Sequence, residues 1–304
     1  MIVSPCADML GLCLSLSESL SVALRRSSSM ANPLWFVELI KQIYPYKRII
    51  AKITRIPGVG KIFYNMMFKE DGVIYLPKDN VVKMSIHVGK SIERPTDTIL
   101  PSKIVKHFIE KASHRWIMNK CICRDSDQCK DYPIDLGCLF LGEAVLGINP
   151  QLGREVTKEE AFEHLRKCQD AGLVQLIGRN KLDTMWLNIG PGSKLLTVCN
   201  CCPCCCLWNA LPDFNPQIAR HIARMEGVSV RVTDGCTGCG ICTDDVCFVD
   251  AITLVNGRAV ISDECRACGR CVEVCPEGAI ELTIESDAIY EETIERIASL
   301  VDVE

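Results

Sequence analysis

The 304-residue sequence holds no G-x-G-x-x-G turn and no P-loop, so nothing in it supports a nicotinamide, flavin or nucleotide site. No run approaches the roughly 20 uncharged apolar residues that span a bilayer, and the chain does not read as an integral membrane protein. Neither sign of charge dominates. The 34 Lys and Arg stand against 38 Asp and Glu, a net charge of −4 with a pI near 5.8, which argues against nucleic acid as the main partner. A secretory signal is missing too: Leu10 to Leu16 are largely apolar, but Arg25 and Arg26 follow that run instead of preceding it. Met30 opens the first segment with a structural pattern, and residues 1–29 read as a disordered leader or a start-site artefact.

Cysteine, by contrast, is abundant, with 21 in the chain, and 48% of all residues are hydrophobic. C-x2-C runs and adjacent cysteines make poor disulfide frameworks and good metal-binding ones, which points to a reducing, anaerobic cytoplasm. Eight cysteines fall in two matching runs, C-T-G-C-G-I-C-T-D-D-V-C from Cys236 and C-R-A-C-G-R-C-V-E-V-C-P from Cys265. A C-x2-C-x2-C loop wraps three irons of a [4Fe–4S] cube, and the fourth ligand comes from farther away. In the bacterial two-cluster arrangement the fourth cysteine of each run serves the other cube. That assigns Cys236, Cys239, Cys242 and Cys275 to one cluster and Cys265, Cys268, Cys271 and Cys247 to the other. Gly240 and Gly269 follow the second cysteine of each run, where the backbone passes close to an inorganic core. Asn256-Gly257 between Ile252–Val255 and Arg258–Ile261 favours a type I′ hairpin. Zinc sites built from C-x2-C pairs are the competing reading, but zinc asks for four ligands and not a duplicated set of eight.

On these residues the region from about 229 to 284 resembles the bacterial-type 2[4Fe–4S] ferredoxin family, which implies a pseudo-twofold β-α-β repeat. It departs from the family in the first run, which has four residues, Thr243 to Val246, before Cys247 and carries Phe248 in place of the usual proline.

Ten further cysteines form two upstream patches: Cys121, Cys123, Cys129 and Cys138, and then Cys199, Cys201, Cys202, Cys204, Cys205 and Cys206 in C-N-C-C-P-C-C-C. Six cysteines in eight residues cannot all face an apolar core, so metal or cluster binding is the reading. Pro203 biases the preceding cysteine toward extended backbone, so neighbouring sulfurs point to opposite sides and one patch can serve two centres. Arg124 and Lys130 either offset the charge of thiolates or lie exposed. Cys6, Cys13 and Cys168 stand apart and are not expected to be ligands. With C-x-C-R, C-x2-Y-P-x2-L-G-C-L-F-L-G and C-N-C-C-P-C-C-C ahead of the ferredoxin repeat, the chain from about residue 33 to 284 is similar to a family of cysteine-rich ferredoxin-domain proteins of anaerobic archaea and bacteria. That resemblance implies clusters and anaerobic redox metabolism but no particular reaction.

The expected fold is α+β. Residues 30–71 form a basic amphipathic helical segment, with seven Lys or Arg against Glu38 over residues 30–69 and with Trp35, Phe36, Leu39, Ile40 and Ile43 on one side. It either lies on an anionic membrane or packs on the protein with its charges in water. A cysteine-rich α+β domain spans 72–228, with strands at Val73–Leu76 and Val81–Val88 and a helix from Ser102, as cap, through Trp116. Thr157 and Glu160 make a capping box, and the helix they open precedes an expected hairpin of Leu173–Ile177 and Thr184–Ile189, a winged-helix-like pattern. The ferredoxin domain spans 229–284 and an acidic helix 285–304, whose Glu285, Asp287, Glu291, Glu292 and Glu295, with Glu281 ahead of it, would face solvent or steer a basic partner. The functional expectation is electron transfer between redox protein partners by two [4Fe–4S] clusters and a further upstream iron–sulfur cluster or other metal. The alternatives are a reductase with its small-molecule substrate at the upstream centre, and a redox- or iron-sensing winged-helix regulator.

Overall fold

The computed structural model describes residues 31–84 and 100–304. The leader reading, Cys6, Cys13 and the end of the expected strand Val81–Val88 lie outside the described residues.

The basic segment folds as α1 (Leu34–Ile43), α2 (Lys47–Ile53) and α3 (Val59–Met67), broken by a 3₁₀ turn around Pro45 and again at Pro57-Gly58. Then come β1 (Gly72–Tyr75), β2 (Val82–Met84), α4 (Ser102–Lys111), β3 (Arg115–Met118), α5 (Ile122–Ser126) and β4 (Leu139–Leu141). β5 (Gly153–Glu155), α6 (Lys158–Asp170), β6 (Val174–Arg179), α7 (Lys181–Leu187), β7 (Leu196–Cys201), α8 (Pro216–Ala219) and β8 (Ile222–Arg224) complete the cysteine-rich part. The C-terminal part is β9 (Val228–Val232), β10 (Ile252–Val255), β11 (Arg258–Ile261), α9 (Arg270–Val274), β12 (Ile280–Ile284) and α10 (Ala288–Ala298).

Seven strands form one sheet in the order β5-β3-β4-β7-β6-β1-β8, antiparallel except for the β1–β8 pair. The two-residue period of the strands decides what each face carries. Ile74, Leu76, Ile177, Leu196 and Val198 face a core shared with Ile104 and Phe108 of α4, Leu165 of α6, and Leu282, Ile297 and Val301 from the C-terminal part. Val73, Tyr75, Val174, Leu176 and Cys201 face the other way, toward Trp208, Phe214 and Phe248, with Cys199 beside them. The alternation therefore sends Cys199 and Cys201 to one side together. Leu139 pairs with Val198, a register that sets Cys138 opposite Cys199. In the three-stranded sheet β12 runs parallel to β2 and antiparallel to β9, tying the C-terminal part to the upstream chain.

Several local expectations change. The Thr157–Glu160 capping box forms in full, but the winged-helix hairpin does not: the segment expected as its second strand lies largely in α7. Both edges of β6 are already taken by β1 and β7, leaving none for a wing. Asp183 in α7 accepts hydrogen bonds from Asn180, Trp186 and Thr197, and the Lys181 N–H at its start donates to Asp71. The DNA-binding element of the regulator reading is thereby lost. Ser102 does not cap its helix; Pro101 holds the cap position, and the Ser102 N–H donates to Asp79 Oδ1 at 2.9 Å. Trp116 lies in β3 and not in the helix.

The N-terminal helices reverse the expected orientation of charge. Lys41 pairs with Asp125 at 2.7 Å, Lys47 with Asp127 and Arg48 with Asp213 at 3.3 Å, so these cations bind the helices to the protein. Val37 and Ala51 are buried, whereas Trp35 is 67% exposed and Leu39, Ile43, Ile49 and Ile53 are exposed as well.

Two tests follow from this packing. A Cβ on Gly178, at φ +153°, would stand 1.8 Å from the Gly72 carbonyl oxygen, so Gly178→Ala must push β6 and β1 apart. It is expected to cost on the order of 1–3 kcal/mol, seen as a lower thermal midpoint of the anaerobically purified protein. Burial raises the Asp71 carboxyl to about 7, against the Lys181 N–H and Arg179, which pull it down. Because the folded pKa lies above the unfolded value of about 3.9, the folded state holds the extra proton, and stability falls as pH rises from about 4 to 7. Asp71→Asn keeps the acceptor for Lys181 and removes the charge. Its thermal midpoint is expected to exceed the parent's at pH 8, with the difference shrinking by pH 5.5.

Candidate metal centres

The two cysteine runs of the C-terminal part fold around their own turns. Gly240 and Gly269 both adopt left-handed backbone, φ +82° and +84°, and each opens a short helical turn that presents the third cysteine of its run. Asn256 and Gly257 have φ of +50° and +75°, as a type I′ turn requires, and β10 and β11 pair across them.

Cys236, Cys239, Cys242 and Cys275 line one cavity, and Cys247, Cys265, Cys268 and Cys271 line a second. The fourth cysteine of each run thus stands with the first three of the other. Cys247 and Cys275 also match in their hydrogen bonds: each sulfur accepts at 3.3 Å from the N–H of the alanine four residues on, Ala251 and Ala279. Cys236 and Cys265 accept from the N–H groups of Ala259 and Ala267. Four soft sulfur donors around each cavity, with backbone N–H groups aimed at them, fit a [4Fe–4S] cluster in chemistry and number. The extra residue of the first run is accommodated in a turn where Asp245 takes φ +52°. Phe248 packs edge-on against Tyr75 with ring centroids 5.5 Å apart, so the residue that replaces proline docks this run on the seven-stranded sheet.

The two cavities differ in setting. Cys239 of the first is exposed, amid exposed Ile241, Leu254, Val255 and Val260. In the second, burial pushes the Cys268 thiol up to about 12 and raises Cys271 as well. Arg270 next to it donates to the carbonyls of Val246 and Gly172 and to the Tyr132 hydroxyl, linking the second cavity to the upstream cysteine loop.

The ten upstream cysteines converge and divide. Cys129, Cys202, Cys204 and Cys205 have sulfurs all within 4.8 Å of one another, with Cys204 3.7 Å from Cys129 and 3.6 Å from Cys205. Four thiolates at about 2.3 Å around one tetrahedral ion stand about 3.8 Å apart, so this set has the dimensions of a single-ion site. Cys121, Cys123, Cys138, Cys199, Cys201 and Cys206 instead line a chamber of about 400 Å³, which Cys202 also borders. The expectation that Pro203 lets neighbouring sulfurs diverge matches this division, with Cys201 on one side and Cys204 and Cys205 on the other.

Arg124 lies between the two sets and is fully buried. Its guanidinium donates to the carbonyls of Pro133, Asn200 and Leu136, and among the described residues no carboxylate pairs with it. Burial alone would lower its pKa, but the thiols Cys121, Cys202, Cys201 and Cys138 raise it above the usual value. Burial excludes the exposed reading for Arg124, whereas Lys130 is exposed. Cys168 is buried 3.6 Å from His164 Nε2 and packs against Cys202 and Cys205 without joining the four close sulfurs. The signal missed in the sequence is Tyr75. It is fully buried on β1, one strand in from the β8 edge of the sheet, its hydroxyl has no hydrogen-bond partner among the described residues, and Cys206, Cys201 and Cys268 lie near enough to add to the effect of burial in raising its pKa.

Residues 259–281 match the family described as 4Fe-4S binding domain, Fer4. A search of curated proteins and a search of solved structures each gave no match. The chain therefore carries a ferredoxin-type 4Fe–4S-binding domain in an α+β protein, and no helix among the described residues is long and apolar enough to cross a membrane.

The four-thiol set yields a direct test. Cys129→Ser is expected to remove about one metal ion per chain, zinc or iron, and to leave the iron of the ferredoxin-type domain in place. Elemental analysis of parent and variant, purified side by side without oxygen, measures both.

Proposed function

We propose that the protein is an iron–sulfur electron-transfer protein of anaerobic redox metabolism, with two [4Fe–4S] clusters in the ferredoxin-type domain and further metal in the cysteine-rich part. The observation that carries this reading is the division of eight cysteines between two cavities, each drawing three from one run and one from the other. Bound there, such clusters would supply one-electron transfer at low potential. The chain's own residues set the direction of traffic. The apolar surface around Cys239 offers a redox partner contact with the outer set, while Phe248 and Tyr75 join the buried inner set to the chamber.

A second reading, a reductase, is favoured by the wall of that chamber. Beyond the six thiols Phe36, Ile40, Leu182, Met185, Trp186 and Trp208 make much of its wall, with Arg124, Asp183, Asn180 and Asn200 among the polar groups that border it. A cavity of 400 Å³ with few polar groups suits a small, largely apolar molecule next to a metal centre.

Crossed ligation is the point to test first. Cys247→Ser is expected to abolish the same electron paramagnetic resonance signal as Cys265→Ser, and Cys275→Ser the same signal as Cys236→Ser, each with a loss of up to about four irons. Grouping of Cys247 with Cys236 would refute the assignment, and spectra without any reduced-cluster signal in the parent would refute the electron-transfer reading.

A further inference from the structure

The six chamber thiols line one space. Cys201 and Cys206 stand 3.1 Å apart, sulfur to sulfur. Cys121 and Cys123, Cys138 and Cys199, and Cys199 and Cys201 influence each other's protonation. Yet among the described residues the one group of three or more such ligands lying within 4.8 Å of one another is the four-thiol set of Cys129, Cys202, Cys204 and Cys205. An ion with bonds of about 2.3 Å reaches sulfurs no more than about 4.6 Å apart, so no single ion gathers three of the chamber thiols. The ferredoxin-type cysteines are likewise absent from any such close group. Neither place is therefore dimensioned for a single ion.

Arg124 lines the same chamber, and Tyr75 is buried in the apolar cluster that also holds Cys201 and Cys206. Arg124 brings a positive charge into the interior with only neutral carbonyls to receive it, a costly arrangement unless anionic sulfur stands beside it. Tyr75 brings an O–H with no acceptor among the described residues, within electrostatic reach of Cys206, Cys201 and Cys268. An unpartnered buried donor is costly, and a hydrogen bond to a cluster sulfur would offset that cost.

We propose that Cys121, Cys123, Cys138, Cys199, Cys201 and Cys206 hold one polynuclear iron–sulfur centre, separate from the single-ion site, with Arg124 as its buried counter-cation and the Tyr75 hydroxyl as a hydrogen-bond donor to it. Six thiols exceed the four of a cube, so the centre is larger than a single [4Fe–4S] unit or leaves thiols free beside one. This inference deepens the iron–sulfur reading above, and the experiment separates the two.

The full chain, purified without oxygen and reconstituted with ferrous iron and sulfide, is compared with Cys199→Ser/Cys206→Ser, Cys247→Ser/Cys275→Ser and Tyr75→Phe. Iron and acid-labile sulfide are counted, and the reduced proteins are examined by electron paramagnetic resonance and potentiometry. The parent is expected to exceed by at least four the roughly eight irons of two cubes. The chamber variant should fall back toward eight with its ferredoxin-type signals intact, and the Cys247→Ser/Cys275→Ser variant should lose those signals and keep the chamber iron. Tyr75→Phe should keep its iron but move the potential of the additional signal downward, since a sulfur loses a hydrogen bond. A parent count of about eight, or a chamber variant with the parent's count, overturns the proposal even with ferredoxin-type signals present. Chamber iron without those signals overturns the electron-carrier reading instead. Should the chamber variant fail to fold, the parent count and Tyr75→Phe decide: a parent without the extra iron, or an unmoved potential in Tyr75→Phe, counts against it.

Discussion

The cysteine-rich half depends on a single buried cation. Arg124 leaves α5 and gathers the carbonyls of Pro133 and Leu136, from the loop that ends in Cys138, together with that of Asn200, between Cys199 and Cys201. Three chain segments that carry ligands are held by one planar fork, a task for which a lysine, with a compact ammonium on a flexible stem, is poorly shaped. Because those partners are neutral, the fork fixes geometry without cancelling charge. Of the thiols beside the guanidinium, Cys121 is lowered to about 7 and is the one placed to balance it, while Cys138, Cys201 and Cys202 are held above the ordinary thiol range.

Strand period does the rest of the positioning. Cys199 and Cys201 reach the chamber because they are two residues apart on β7, whose other face is given to Leu196 and Val198 in the core. Cys138 meets them through the β4–β7 register. The inner ferredoxin-type cavity reaches the same region from the opposite side, through Phe248 on Tyr75. A residue that departs from the familiar pattern of its run therefore joins the two halves of the protein.

Chemistry carried by spacing was legible in the sequence. The duplicated run with its glycines and Asn256-Gly257, the Thr157–Glu160 box and the ten upstream cysteines all reported short-range requirements that a few neighbouring residues satisfy among themselves. What depended on the sheet was not. Residues 184–189 have the apolar pattern of a strand, but no edge was left for one, and distant groups at Asp71 and Thr197 made a helix the better use of them. The split of ten thiols into four and six could not be read either, since only Cys199 and Cys201 lie on β7 and the other eight are sorted by how distant segments of the chain pack. Tyr75 gave no signal at all: in a run of Val, Ile, Tyr and Leu it reads as a core residue, and only burial without a partner for its hydroxyl sets it apart.

Burial of the thiols also bears on the order in which the protein is assembled. Burial raises Cys268 and Cys202 to about 12 and Cys271 in the same direction, so at neutral pH these groups keep their protons in the metal-free fold. A metal must displace those protons to bind, and binding then replaces a neutral thiol by a thiolate whose charge the metal and Arg124 share. The inner sites would therefore take metal with greater difficulty once the sheet has closed over them than during folding. The outer set has a smaller barrier, with Cys239 exposed, Cys236 held below the ordinary thiol range by the N–H groups of Ala259 and Gly238, and Cys242 raised by burial. The same asymmetry that would let the outer set meet a partner makes it the more open to exchange and oxidation, while the inner set and the chamber are protected by the packing that joins them.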